Sequence, residues 1–200
     1  MIAALVPAAG LSTRMGRPKL LLAIQDRPLI RRVVAALREG GADRVLVVAP
    51  PADQDGAVRI AELAREAGAE AISLAASTPD MRATIEAGLA SLGLGTEIPS
   101  GVLIAPGDCV GLTSGLVAAV VGQFLADPSR IVLPIRGDRR GHPLALPWST
   151  ALAIRDLPRG VGVNALLSAR EARVDRLTVD FPGLDADLDT PEDYRRWSAL

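Results

Sequence analysis

The sequence predicts an α/β three-layer sandwich, in which helices cover both faces of a mostly parallel sheet with a small antiparallel addition. Three observations predict it. Short apolar runs recur along the chain, stretches of helical period separate most of them, and most of the runs are continuously apolar rather than alternating with polar residues. Strands that are buried on both faces read in this way. The runs occupy residues 2–6, 45–49, 71–74, 102–105, 131–134, 143–146 and 174–179.

The helical stretches follow the same logic. Leu29, Ile30, Val33, Val34 and Leu37 trace one helix face, which Pro28 can open at its first position and Gly40 with Gly41 can close. Residues 57–67 and 81–92 supply two more helices. Leu112, Leu116, Val117, Val120, Val121, Phe124 and Leu125 trace a fourth, within the longest apolar stretch of the chain. That stretch is interrupted by Thr, Ser, Gly and Gln and ends at Asp127, so it is expected to be a buried helix rather than a bilayer span. The sequence Arg136-Gly-Asp-Arg-Arg-Gly141 breaks the alternation and is expected to turn between antiparallel strands. No repeat or linker appears, and the 200 residues are expected to form one Rossmann-like domain.

Composition excludes several classes. Twenty-two basic residues against 23 acidic ones give a net charge of −1, without the basic excess that displaces counterions from nucleic acid. The N-terminal stretch lacks the basic leader of a signal peptide, so a cytoplasmic protein with no membrane partner is expected. The single cysteine, Cys109, cannot form an internal disulfide or a cysteine metal cluster. Of the 22 basic residues only Lys19 is a lysine, the rest being arginine. Arginine replaces lysine on a solvated surface more readily than where a compact ammonium must fit beside phosphates. Lys19 is therefore the first residue to examine.

Lys19 closes the loop after the first strand, Pro7-Ala-Ala-Gly-Leu-Ser-Thr-Arg-Met-Gly-Arg-Pro-Lys19. Small residues at positions 8–10 let backbone N–H groups approach an anion, Gly10 and Gly16 permit tight turns, and Arg14 and Lys19 add cations. In a parallel sheet such a loop lies at the carboxyl end of a strand, where ligands bind. Neither the Walker A nor the Gly-x-Gly-x-x-Gly spacing is present.

Residues 5–22, LVPAAGLSTRMGRPKLLL, resemble the signature loop of MobA-like nucleotidyltransferases, which include the molybdenum-cofactor cytidylyl- and guanylyltransferases. Further resemblances follow in order: Arg27-Pro-Leu29, Met81–Leu89 as the nucleobase loop and its helix, Pro106-Gly-Asp108, Gly141-His-Pro143, and Asp187-Leu-Asp-Thr-Pro-Glu-Asp193. The resemblance implies a Mg²⁺-dependent nucleotidyltransferase domain over residues 1–200. It would move an NMP from an NTP onto a small phosphorylated acceptor such as molybdopterin, releasing pyrophosphate. It also implies the roles of individual residues. Pro7, Ala8, Ala9, Gly10, Arg14, Lys19, Asp80, Met81 and Thr84 would bind the nucleotide, with Arg14 and Lys19 catalytic. His142 would contact the acceptor, and Asp108 and Asp189 would hold the metal, with Asp187 the alternative to Asp189.

The residues agree with this chemistry. Thr190, Pro191 and Asp193 are accounted for as a helix start, but that start leaves Asp187 and Asp189 unexplained. Two aspartates facing a triphosphate suffice for Mg²⁺, and to share it their carboxylates must approach within roughly 3–6 Å. One His and one Cys are few for nucleophilic catalysis, whereas an already ionised acceptor phosphate needs only positioning and charge neutralisation. Ala8-Ala9-Gly10 resembles the cytidylyl form, so CTP is expected. Asp80-Met-Arg-Ala-Thr84 and Cys109-Val110 depart from the family pattern. A guanylyl- or sugar-phosphate nucleotidyltransferase, or a non-catalytic nucleotide-binding module, are the alternatives.

Overall fold

The computed structural model describes residues 1–10, 12–95, 97–158 and 160–199. Strand β1 (Ile2–Pro7) enters the loop that Lys19 closes, followed by the short hairpin β2 (Ala23–Ile24) and β3 (Arg27–Pro28). Helix α1 (Leu29–Glu39), β4 (Arg44–Ala49), α2 (Ala57–Glu66), β5 (Glu70–Ser73) and α3 (Met81–Gly93) complete the first half. Next come β6 (Gly101–Ile104), α4 (Ser114–Ala126), β7 (Ile131–Arg136), β8 (Arg139–Arg140) and β9 (Leu144–Pro147). Helices α5 (Trp148–Leu152) and α6 (Val163–Ala169), strand β10 (Val174–Thr178) and helix α7 (Pro191–Ser198) end the chain.

The main sheet has eight strands among the described residues, in the order β10-β7-β9-β6-β1-β4-β5, with β8 paired to β7. Every pair is parallel except those made by β9 and the β7–β8 hairpin. The expected antiparallel addition is therefore present. The chain turns back at Gly137, whose φ of 58° suits a glycine, and β9 then inserts between β7 and β6.

Side-chain alternation explains why β1 and residues 45–49 of β4 are apolar throughout. Ile2, Ala4 and Val6 point into one core with α1, α2 and α4, whereas Ala3 and Leu5 point into a second with α3 and α6. In β4, Val45, Val47 and Ala49 join the first core, and Leu46 and Val48 the second. The three expected layers result.

Some boundaries differ from the expected ones for local reasons. Pro28 caps α1 rather than occupying its first turn, because it still pairs with Ala23. Helix α4 begins only at Ser114, where the Thr113 side chain accepts the Leu116 N–H. Leu125, expected on its apolar face, is 58% exposed. Among the described residues no helix is long and apolar enough to cross a membrane.

Gly88 lets α3 approach the sheet closely. A Cβ there would lie 2.2 Å from Leu5 Cδ1 and 2.9 Å from Val48 Cγ2, both side chains being fully buried. Gly88→Ala is expected to destabilise the protein by about 1–3 kcal/mol through overpacking. Denaturant unfolding checks this, and an unchanged midpoint would contradict the close approach.

Candidate functional site

The loop after β1 is shaped by its own residues. Ser12 and Gly16 adopt left-handed conformations at φ 51° and 63°, flanking a single tight turn, Thr13–Met15. Met15 is buried and anchors the turn, while Arg14 stays exposed. The Ser12 hydroxyl accepts the Lys19 backbone N–H at 3.2 Å, which closes the loop and aims the Lys19 side chain inward. Gly10 faces open space.

Two further segments meet this loop. Asp108 follows β6, whose neighbour in the sheet is β1, and Gly107 N–H donates to Pro7 O. The C-terminal segment then runs antiparallel to residues 108–110: Leu188 N–H donates to Asp108 O, Val110 N–H donates to Ala186 O, and Cys109 bridges to Asp187. This short ladder carries Asp189 to the site. The capping box of α7 fixes it there, since the Asp193 carboxylate accepts from the backbone N–H groups of Asp189 and Thr190 and from the Thr190 hydroxyl.

At the centre stands the one lysine. Lys19 Nζ donates to Asp108 Oδ2 at 2.5 Å and to Asp189 Oδ1 at 2.9 Å, and Arg14 donates to Asp189 Oδ2 at 2.8 Å. The two carboxylates thus share one ammonium, with both oxygens within 2.9 Å of the same nitrogen. The Lys19 and Asp108 side chains are only 12% and 18% exposed, so these charge-assisted bonds are partly shielded from water.

The electrostatics follow from this sharing. Burial pulls the Lys19 ammonium down, but Asp108 and then Asp189 outweigh it and hold its pKa above the ordinary value. The hydrogen bond from Lys19, assisted by Arg14, holds Asp189 below the ordinary carboxylate range. The carboxylate that pays for the crowding is Asp187. Burial, then the charges of Asp108 and Asp189, raise it to about 6. Asp108, Cys109 and Asp187 bring potential ligand atoms within 4.8 Å of one another, although burial keeps the Cys109 thiol well above its usual pKa.

A cleft of about 240 Å³ opens above this cluster, lined by Pro7, Ala8, Gly10, Arg14, Lys19, Met81, Asp108 and Asp189 together with Ser12, Thr13, Leu20 and Gly107. The last four were not singled out from the sequence. Thr13, Leu20 and Gly107 could have been, since each adjoins a residue that was.

Other expected site residues lie elsewhere. Ala9 is half-buried between two lining residues without lining the cleft itself. Asp80 caps α3 by accepting the Ala83 N–H, and the buried Thr84 hydroxyl pairs with Thr78 at 2.7 Å. Arg82, the unexpected charge in that segment, instead donates to the carbonyls of Leu157 and Pro158 and braces α3. His142 sits beside the end of β6, near enough to sense the Asp108 charge. Burial lowers its pKa, and its Nδ1 has no hydrogen-bond partner among the described residues. It does not line the cleft.

The profile of the MobA-like NTP transferase domain matches residues 4–175. The chain belongs to that family. Its matched portion contains the loop, Lys19, Asp108 and His142, whereas Asp187 and Asp189 lie beyond it. A 2-C-methyl-D-erythritol 4-phosphate cytidylyltransferase of Ralstonia nicotianae is 34% identical over 157 residues, covering 76% of this chain and 58% of the relative. The chain therefore spans little more than half of that relative's length. The crystal structure of Rv0371c from Mycobacterium tuberculosis H37Rv superposes with a TM-score of 0.80 at 23% identity, covering 100% of this chain and 99% of that one. A complex of Rv0371c with manganese superposes with a TM-score of 0.75 at 23% identity, covering 99% and 98%. These likenesses agree with the α/β fold described above.

Proposed function

We propose that residues 1–200 act as one divalent-metal-dependent nucleotidyltransferase domain that moves CMP from CTP onto a small phosphorylated acceptor and releases pyrophosphate. The observation that carries this reading is the Lys19 ammonium held between Asp108 and Asp189 on the floor of a cleft roofed by a glycine-containing loop.

The donor set suits a hard cation. Asp108 and Asp189 offer carboxylate oxygens facing one point, Asp187 stands next to Asp108, and Mg²⁺ takes few carboxylates alongside phosphate oxygens. The manganese complex of Rv0371c is in keeping with such a site. When bound, the metal would neutralise charge on the reacting phosphate and on the departing pyrophosphate.

The chain's own residues do the rest. The loop of residues 8–14 positions the triphosphate, and Arg14 and Lys19 face its negative charge. An ionised oxygen of the acceptor phosphate attacks the α-phosphorus while the bond to the β-phosphate oxygen breaks, and pyrophosphate leaves with that electron pair. No proton need be removed, so no general base is required. Acceptor contact by His142 would require it to move from its buried place beside the end of β6, since it does not line the cleft. Met81 offers an apolar wall to the base at the mouth of the cleft.

Molybdopterin and the phosphorylated erythritol named for the Ralstonia relative both present a phosphate monoester, which is the acceptor chemistry this reading requires. A reaction that consumes an NTP is in keeping with a cytoplasmic location. The test is pyrophosphate release with each NTP, Mg²⁺ and either acceptor. For the base, CTP is expected to raise the melting temperature more than GTP, and Ala9→Gly to narrow the difference. Equal stabilisation by all four NTPs would reject the cytidylyl preference and leave the reaction class standing.

A further inference from the structure

We infer that Lys19 keeps free divalent cation away from its own partner carboxylates, so that metal enters this site only in exchange for a triphosphate that receives Lys19. The inference rests on the nucleotidyltransferase reading and adds to it the order in which the charges assemble.

Three observations support it. Lys19 Nζ makes hydrogen bonds of 2.5 and 2.9 Å to one oxygen each of Asp108 and Asp189, and so fills the position from which a cation would bind both. The second oxygen of Asp189 is taken by Arg14. A metal that ligates Asp108 and Asp189 must therefore displace the ammonium, because two cations a few ångströms apart in a partly shielded site repel strongly.

Displaced into the cleft, the ammonium meets no further carboxylate, beyond Asp108 and Asp189, among the described residues that line it. Metal alone would thus leave Lys19 and Arg14 without counter-charge, at the cost of their existing bonds. A triphosphate in the cleft changes the balance. It supplies oxygens for Lys19 and Arg14, and the two aspartates are freed for the cation that accompanies it. The carboxylates trade an ammonium for a metal while the ammonium trades carboxylates for phosphate.

Asp187 offers the competing route. With Asp108 and Cys109 it presents ligand atoms within 4.8 Å of one another, and a cation bound there need not displace Lys19. The experiment must separate the two.

Free Mn²⁺, followed by its electron paramagnetic resonance signal, is titrated with wild type, Lys19→Met and Lys19→Gln in the absence of nucleotide. Lys19→Gln retains a hydrogen-bond donor for the carboxylates should Lys19→Met fail to fold. The Lys19 variants are expected to bind Mn²⁺ at least about tenfold more tightly than wild type, since a like charge has been removed from beside the ion. Adding Asp108→Asn should abolish that gain, and the same Lys19 variants should bind Mn²⁺ with CTP more weakly than wild type. Wild type binding Mn²⁺ alone as tightly as the variants would overturn the inference, with loss of that binding in Asp187→Asn identifying the competing route. Persistence of the gain in the Asp108→Asn background would also overturn it. Failure of wild type to bind any of the four NTPs with Mn²⁺ would instead remove the nucleotide half of the exchange and the nucleotidyltransferase reading, a result read separately from the metal-only titration.

Discussion

Lys19→Ala is expected to lower CMP transfer by roughly 10²–10³-fold, as removal of one well-placed donor to developing charge does elsewhere. Lys19 is the most enclosed cation of the cleft, and it already holds two carboxylates at hydrogen-bond distance. Lys19→Arg should also be impaired, because a planar fork cannot occupy the point where a compact ammonium meets both Asp108 and Asp189. The structure adds a stability effect that the sequence did not suggest. Removing the shared cation leaves neighbouring carboxylates to repel each other, so the melting temperature at neutral pH should fall, and the loss should shrink in acid as the carboxylates protonate. Pyrophosphate release and thermal unfolding across pH check the two effects separately. Near-normal turnover in Lys19→Ala would refute its assignment to the triphosphate.

The second large effect separates the three aspartates. Asp108→Asn and Asp189→Asn are each expected to reduce transfer by about 10²-fold or more, because each removes a charged partner of the cation site, worth several kcal/mol in the transition state. Asp187→Asn should cost less than about tenfold on the same scale, since Asp187 makes no bond to Lys19 and is the carboxylate whose charge the site least tolerates. The isosteric amide should relieve that repulsion and leave the melting temperature unchanged or higher at neutral pH. Turnover measured over a Mg²⁺ titration checks all three. If Asp187→Asn proves as damaging as Asp189→Asn, the metal ligand is Asp187, and Asp189 serves to hold Lys19 and Arg14.

Local chemistry made much of the fold legible in advance. The runs at residues 2–6 and 45–49 are apolar at every position, which a strand tolerates only when both of its faces are covered, and β1 and β4 do divide their side chains between two cores. The composition of residues 7–19 likewise pointed to a loop able to face an anion. Legibility failed where a side chain's direction depends on distant partners. Thr84 and Asp80 have the residue types of a base-binding loop, yet one hydroxyl turns to Thr78 and the other side chain caps its own helix. Leu125 fits the apolar period of α4, but among the described residues it is left exposed. Arg82 looked like an addition to the nucleobase segment, and its role is set by carbonyls 75 and 76 residues further along the chain.

The two-faced strands, the small-residue loop and the single lysine within it follow from local chemistry, because each depends on side-chain size, period and charge over a few neighbouring residues. Long-range packing is what runs β9 antiparallel between β6 and β7, and what closes Asp108 and Asp189, 89 and 170 residues from Lys19, on one nitrogen. That meeting depends on the sheet order that sets β6 beside β1 and on the backbone bonds that zip residues 186–188 against 108–110. Strand order and register are set by burial and hydrogen bonding summed over the whole molecule, so no local pattern around either aspartate could specify their meeting.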